Sequence, residues 1–600
     1  MLDEVIERLG NSDLVSVSTI HEKIWEIIAP YQNELLLIHK EKLEEIVANK
    51  EAELSDDSNK KTNFYREMTE EAKTTFKETM LLNKEQYYNT YSMSGPEFKQ
   101  EMEKLLDKLM FKQSLKNVSN FKNVVSTIYS IDNNNIALKE IKTNNPKYKK
   151  VKYTPLYHRD SLHRMSISHD TLLEYGLKII SKYPLLNRMV IDKYPYIFID
   201  EYQDTNELIV KLMSHLADYA KENKQLFLVG YFGDTAQNIY DDGIGSNLKN
   251  IQNGLVDIDK KFNRRSADEI IGLINRIRDD NISQESIYSD SYGGTVDFLG
   301  IDSEQVEEEV KHYREEWKKN GNQSFACLVL TNQLVAKYNG FQNIYGFFKN
   351  SPYYIGSRYN QLNTELMDKK LESLGEIQKM LRNFIKLFSI IDNNMIVAKD
   401  LSYDDLKFPK LTFLEFKNLV SKLKGINKLT INEMLVQIER EYKKSNSTEG
   451  KYFRTIIESI FNLEEFSIKN VTNYIMESLE IEESEEVTKG LYELPFKEFK
   501  NWFDFISGEI TDGNCFVTYH GTKGLEFDGI VIIMSERFNN RPQIRDYFSL
   551  RKEDNESYEK IKNLLYVACS RARKNLAILY VDNVEEIKEG LQEKWGIIVK

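Results

Sequence analysis

Residues 194–205 read Tyr-Pro-Tyr-Ile-Phe-Ile-Asp-Glu-Tyr-Gln-Asp-Thr. The run 194–199 is apolar at nearly every position, with no room for polar alternation. That pattern predicts a strand buried on both faces of a parallel sheet. The run ends in Asp200-Glu201, and the carboxyl ends of strands are where open α/β sheets bind ligands. Two adjacent carboxylates are costly to desolvate, so packing alone does not explain them. A magnesium ion and a water to be activated would.

The pattern continues outward. Glu207 to Ala220 has helical spacing, and Leu226-Phe227-Leu228-Val229-Gly230 is a second short apolar run. After it comes Gly233-Asp234-Thr235-Ala236-Gln237-Asn238-Ile239-Tyr240. Strand, helix and strand in this order predict a βαβ unit.

The chain has 600 residues, too many for one core, so several domains are expected. With 27 glycines and 10 prolines it is poor in helix breakers, which favours long helices. A net charge of −13 excludes a surface coated in basic residues but not a local basic cleft. Cys327, Cys515 and Cys569 lie far apart, without metal-ligand spacing, which points to a reducing compartment. Met1-Leu2-Asp3-Glu4-Val5 does not resemble a signal peptide, and no apolar run approaches the roughly 20 residues that span a bilayer. A cytoplasmic protein is expected.

Along the chain, Asp13 to Ile20 alternates like a strand, and His21 to Ala29 reads as a helix on which Trp25 is a core residue. From Ile38 to Lys122, Lys and Glu recur at helical spacing. Between Lys142 and Arg159, Lys147, Lys149, Lys150 and Lys152 interleave with Tyr148, Tyr153 and Tyr157. That composition suits single-stranded nucleic acid, and it equally suits a solvated strand pair on an insertion. Ser168 or Asp170 would cap a helix over 171–182, with His169 structural rather than catalytic. Residues 351–505 read as almost wholly helical, and α/β alternation returns from 514 onward.

Taken together and in this order, these blocks resemble the UvrD/Rep-type superfamily 1 DNA helicases. Asp200-Glu201-Tyr202-Gln203-Asp204 is similar to the family's Walker B block. The resemblance implies that Asp200 binds magnesium and that Glu201 polarises the attacking water. Gly233-Asp234-Thr235-Ala236-Gln237 resembles the next block, in which Gln237 links the γ-phosphate to DNA. The family continues with an aromatic and an arginine where this chain has Tyr240 and then Asp241-Asp242, which puts base stacking there in doubt. Asn263-Arg264-Arg265-Ser266 resembles a block usually written Asn-Tyr-Arg-Ser: Arg265 would reach the γ-phosphate, and Arg264 would stack on adenine in place of tyrosine. In Thr518-Tyr519-His520-Gly521-Thr522-Lys523-Gly524-Leu525-Glu526, the resemblance assigns Glu526 to the ribose side and Gly524 to close phosphate approach. Thr518 and His520 would face DNA. Tyr566 to Arg573 resembles the last block, with Arg571 as arginine finger and Arg573 on the surface. Ser18-Thr19-Ile20-His21 resembles a DNA-contacting block in which Thr19 meets a phosphate beside His21.

The family's phosphate cradle ends in Gly-Lys-Thr or Gly-Lys-Ser, whereas the one Gly-Lys pair here, Gly450-Lys451, precedes Tyr452. Three explanations stand: a truncated start, a segment supplied by another polypeptide, or a true loss. The retained site residues favour the first, and weak activity of the chain alone follows. The resemblance implies two RecA-like (P-loop NTPase) α/β cores with helical insertions. The first core is expected at 1–37 and 160–262, incomplete at its start, with an insertion at 38–159. The second is expected at 263–350 and 506–600, with an insertion at 351–505. It implies ATP-dependent helicase or translocase activity on single-stranded or partly duplex DNA, 3′ to 5′, in repair or antiviral defence, with ATP and Mg2+ as cofactors. The alternative is a non-hydrolysing DNA-binding or scaffold subunit of a protein complex.

Overall fold

The structure is a computed structural model that describes residues 15–90, 95–106, 114–153, 160–239, 243–288, 293–355, 358–369, 371–392, 412–444, 448–463, 465–479, 485–508, 516–537, 541–549 and 555–598. The chain divides into two compact units, Met1–Thr235 with Tyr240–Val256, and Ala236–Ile239 with Asp257–Lys600.

In the first unit, helix α1 (Ile20–Ile28) opens on a capping box: the Thr19 hydroxyl accepts from the Glu22 amide, and the Glu22 carboxylate accepts from the Thr19 amide. Of the strand expected over 13–20, residues 13 and 14 lie outside the described residues, and the described remainder is not a strand. Residues 15–19 have no regular structure and Ile20 is already helical. No described strand pairs with this stretch, and the capping box commits its end to the helix. Helices α2 (Gln32–Ser55) and α3 (Val118–Lys142) pack along one another. Phe76, Met80, Phe98, Phe121 and Tyr129 form a separate core beside them. Strand β1 (Lys152–Tyr153) runs parallel to β2 (Ser166–Ile167). Helix α4 (His169–Lys182) follows, with Ser168 rather than Asp170 at its cap.

The βαβ unit forms as expected from β3 (Tyr196–Ile199), α5 (Glu207–Glu222) and β4 (Leu228–Tyr231), with Tyr196 opposite Leu228 and Ile199 opposite Tyr231. The expected burial on both faces is corrected. Tyr196 and Phe198 are 65% and 62% exposed, whereas Ile199 is 6% exposed. Among the described residues β3 and β4 form a two-stranded sheet. Ile197 and Ile199 turn toward the core that contains Leu172, Ile209 and Leu212, whereas on the other face Phe198 meets only the edge of Phe232, 5.7 Å between ring centroids, and stays largely exposed.

The second unit holds β5 (Phe262–Asn263), α6 (Asp268–Arg278), β6 (Glu285–Ser286), β7 (Thr295–Gly300), α7 (Val306–Lys319), β8 (Phe325–Val329), β9 (Phe516–Thr518), β10 (Phe527–Met534), α8 (Asn555–Cys569) and β11 (Ala572–Tyr580). Five strands form one all-parallel sheet in the order β7-β11-β10-β8-β9. Central β10 is buried from Asp528 to Met534, so its run Ile-Val-Ile-Ile-Met is the doubly covered strand that such a sheet requires. Ile530 and Ile532 pack with Ile270, Ile274 and Leu565 on one face, and Val531 and Ile533 with Val310 and Trp317 on the other. Between Gln342 and Ile506 the named elements are all helices, around Phe384, Phe388, Phe461 and Trp502. The fold is α/β, with parallel sheets and long helical stretches, as the resemblance implies. No helix among the described residues is long and apolar enough to cross a membrane.

Candidate functional site

In the first unit, β3 delivers Asp200, exposed, in the bend that follows Ile199. Glu201 is left-handed, with φ of 50° and ψ of 44°. That conformation costs a non-glycine residue about 1–2 kcal/mol, so the surroundings must hold it. The Phe232 amide donates to the Ile199 carbonyl (2.8 Å) and the Tyr202 amide to the Phe232 carbonyl (3.1 Å), which fastens the two strand ends. Gln203 is fully buried. Its side-chain amide donates to Glu201 Oε2 (2.5 Å), and its Oε1 accepts from the Asp234 amide (3.1 Å). It therefore ties the acidic block to the Gly233-Asp234 block. A Cβ on Gly233 would lie 2.1 Å from Gln203 Oε1, so only glycine fits there. Among the described residues no cluster of three or more His, Cys, Asp or Glu could cage a metal. Magnesium does not need one: it keeps several waters and takes one or two carboxylates plus substrate phosphates. Exposed Asp200 fits that demand.

The second unit gathers four residues from distant blocks. The Arg571 guanidinium, 2% exposed, donates to Gln237 Oε1 (2.8 Å) and to the Val567 carbonyl (3.2 Å). Arg265 Nε donates to Glu526 Oε2 (2.6 Å), and its Nη1 donates to the carbonyl of Ser570 (3.3 Å), the neighbour of Arg571. The Phe527 amide, next to Glu526, donates to the Arg571 carbonyl (3.0 Å). Two further side chains hold the segment that carries Gln237. Lys523 Nζ donates to the Gln237 carbonyl (3.1 Å), and Asn563 Nδ2 donates to the Asn238 carbonyl (3.0 Å). Sequence reasoning did not assign Gln203, Lys523 or Asn563. Gln203 and Lys523 lie inside quoted blocks and could have been weighed, whereas Asn563 lies in none.

The remaining candidates are more dispersed. Arg264 is exposed beside Arg265. Gly524 has φ of +83°, which requires glycine, and open space around it. Thr518 Oγ1 accepts from the Gly521 amide (3.0 Å), closing the turn in which half-buried His520 sits. His520 starts a 3-10 turn instead of ending the strand. In the first unit, Thr19 is exposed and engaged in its capping box. The His21 ring lies 4.5 Å from that of His169. Tyr240 lies outside the described residues. Arg573 is half exposed and faces Asp528 at 3.9 Å.

A family model described as the UvrD/REP helicase N-terminal domain matches residues 1–254. Gabija protein GajB of Bacillus cereus (strain HuB5-5) is 41% identical, over 99% of this chain and 88% of that protein. A probable DNA helicase II homolog of Mycoplasma pneumoniae is 26% identical over 71% of this chain and 59% of its own length. The ATP-dependent DNA helicase PcrA of Staphylococcus aureus (strain Mu50) is 23% identical over 71% of this chain and 60% of its own length.

Proposed function

The chain belongs to the UvrD/Rep helicase family, and we propose that it works as an ATP-dependent translocase on single-stranded DNA, moving 3′ to 5′. By family it is an ATP-dependent DNA helicase. The observation that carries the residue assignment is the gathering of Gln237, Arg265, Glu526 and Arg571 in one hydrogen-bonded group.

In this reading Asp200 holds magnesium, which when bound neutralises charge on the transferring phosphoryl group. Glu201 orients and polarises the attacking water, and its strained backbone keeps the carboxylate aimed. Arg571 and Arg265 supply positive charge to the γ-phosphate. Gln237 reports the state of that phosphate to DNA through Thr518, His520 and Tyr240. Glu526 sits toward the ribose, Arg264 against adenine, and Gly524 allows backbone to approach phosphate. Thr19 and His21 contact DNA from the first core. The cores are proposed at 1–37 with 160–262 and at 263–350 with 506–600, with helical insertions at 38–159 and 351–505.

The setting we propose is cytoplasmic antiviral defence within a protein complex, with DNA repair as the second setting. The relative that matches nearly end to end is a Gabija protein, and the matches to repair-type helicases are weaker. One observation favours a second activity, a non-hydrolysing DNA-binding or scaffold subunit: the 600 residues contain no Gly-Lys-Thr or Gly-Lys-Ser cradle. Phosphate release with and without oligo(dT), in the chain and in Glu201→Gln, separates the two. A DNA-stimulated rate that vanishes in Glu201→Gln supports the translocase. Oligo(dT) binding with no release supports the scaffold.

A further inference from the structure

Gln284 belongs to neither the Asn263–Ser266 block nor the Tyr566–Arg573 block, yet its side chain joins them. Asn263 Nδ2 donates to Gln284 Oε1 (2.8 Å), and Gln284 Nε2 donates to the Tyr566 hydroxyl (2.8 Å). On the first side, Asn263 Oδ1 accepts from the amides of Arg265 (2.8 Å) and Ser266 (2.9 Å), which fixes the backbone on which Arg265 stands. On the second side, the Tyr566 carbonyl accepts from the Ser570 amide (2.9 Å) at the end of α8. The Ser570 carbonyl accepts in turn from Arg265 Nη1 (3.3 Å), so the path closes into a ring. Arg571 follows Ser570, and its Nε donates to the carbonyl of Val567, the neighbour of Tyr566 (3.2 Å).

The bridge has a forced polarity. Backbone amides only donate, so Asn263 turns its oxygen to them and its nitrogen to Gln284. The Gln284 oxygen is thereby committed, and its nitrogen faces Tyr566. Arg278 Nη1 donates to the same hydroxyl (3.0 Å), and a guanidinium cannot accept. Arg278 and Tyr566 are 4% and 2% exposed, so neither exchanges this partner for water without cost. The backbone of Gln284 is held as well. Its amide donates to Asn275 Oδ1 (2.8 Å), and Asn275 Nδ2 donates to its carbonyl (2.8 Å). Asn275 lies on α6, so the bridge is anchored to a helix of the core.

We propose that Gln284 is a positioning residue for recognition of the γ-phosphate: it sets the spacing between Arg265 and Arg571, so that both guanidinium groups meet one phosphate. This rests on the placement of those two arginines at the γ-phosphate. Gln284 itself touches no nucleotide. A misplacement of about 1 Å between the two arginines is enough to forfeit a charge-assisted bond to the phosphate. Contacts to the base, the ribose and the other phosphates do not depend on that spacing. Loss of the bridge therefore weakens binding of a nucleoside triphosphate and spares that of the diphosphate.

The test is a fluorescence titration of the full chain with Mg2+ and two methylanthraniloyl-labelled nucleotides, ADP and the non-hydrolysable β,γ-imido analogue of ATP. The unmodified chain is expected to bind the triphosphate about tenfold tighter than the diphosphate. Gln284→Leu keeps the side-chain volume and removes both bonds. It should cut that preference to about threefold or less while the affinity for the diphosphate stays within about twofold. Gln284→Glu still accepts from Asn263, and the Tyr566 hydroxyl can turn to donate to it, so this variant should retain the preference. If Gln284→Leu does not fold, Asn275→Ala, which frees the Gln284 backbone from α6, should narrow the preference in the same direction. Affinities for both nucleotides that fall together in Gln284→Leu overturn the inference. A preference that survives Gln284→Leu and Asn275→Ala but is lost in Arg571→Ala overturns it too, and leaves the arginines at the γ-phosphate. Equal affinity of the unmodified chain for the two nucleotides, or binding of neither, overturns both.

Discussion

Arg571 and Gln237 lie 334 positions apart in sequence, yet the guanidinium of one donates to the side-chain carbonyl of the other at 2.8 Å. With Arg571 2% exposed, neither group can exchange this partner for water without cost. Arg571→Ala is therefore expected to destabilise the chain by about 1–3 kcal/mol in urea unfolding. It should also lower DNA-stimulated ATP hydrolysis by about a thousandfold or more. Arg571→Lys keeps the charge but not the planar fork, and should recover stability in part and hydrolysis hardly at all.

Glu201 makes a second prediction through its backbone. Glu201→Ala and Glu201→Gly both remove the bond from Gln203 and the carboxylate, so both should lose hydrolysis. They differ in the left-handed φ of 50°, which glycine adopts freely. Glu201→Gly should be the more stable of the two by about 1 kcal/mol in a denaturant titration. Equal stabilities would mean that the strained turn relaxes when the side chain is lost.

The open side of the β3–β4 sheet presents Tyr196, Phe198 and Leu228 at 65%, 62% and 51% exposure. A contiguous apolar face of this kind binds hydrophobic dyes and promotes self-association. Phe198→Glu is expected to cut anilinonaphthalene sulfonate fluorescence at least twofold and to leave the thermal midpoint unchanged. An unaltered dye signal would place the apolar site elsewhere.

His39 is buried between the Tyr175 hydroxyl (3.0 Å) and the Leu162 carbonyl (2.9 Å). Burial, the largest influence, pulls its pKa below the ordinary histidine value, against the Leu162 carbonyl and Asp160, which raise it. The folded chain then binds fewer protons here than the unfolded chain. The stability this gives is full above about pH 6.5 and is lost as pH falls through the lowered folded value. The thermal midpoint should drop between pH 7 and pH 5, and His39→Gln should flatten that drop.

The centre of the second sheet was legible because β10 from Gly529 and β11 from Leu576 onward are apolar at every position and in fact lie buried. The same signal misled at β3, where Tyr-Ile-Phe-Ile is equally apolar but alternate residues face solvent. Hydropathy cannot register exposure when every position is hydrophobic. At the start of the described chain, the alternation of 13–20 outweighed Thr19-x-x-Glu22, although that spacing is itself a helix-start signal. Block-by-block resemblance singled out Gln237, Arg265, Glu526 and Arg571 as candidates, and the structure adds the hydrogen bonds that join them. Gln203, Lys523 and Asn563 stayed hidden because their roles are hydrogen bonds to partners that only folding brings near. The ring contact of His21 with His169 was illegible for the same reason.

The most direct test of the central claim is phosphate release from Mg2+–ATP by the purified chain, with and without oligo(dT), beside Glu201→Gln and Arg571→Ala. The account predicts slow turnover, below about 1 per second, that oligo(dT) stimulates and either substitution abolishes. Turnover indifferent to DNA and to both substitutions, or DNA binding with no turnover at all, would contradict it.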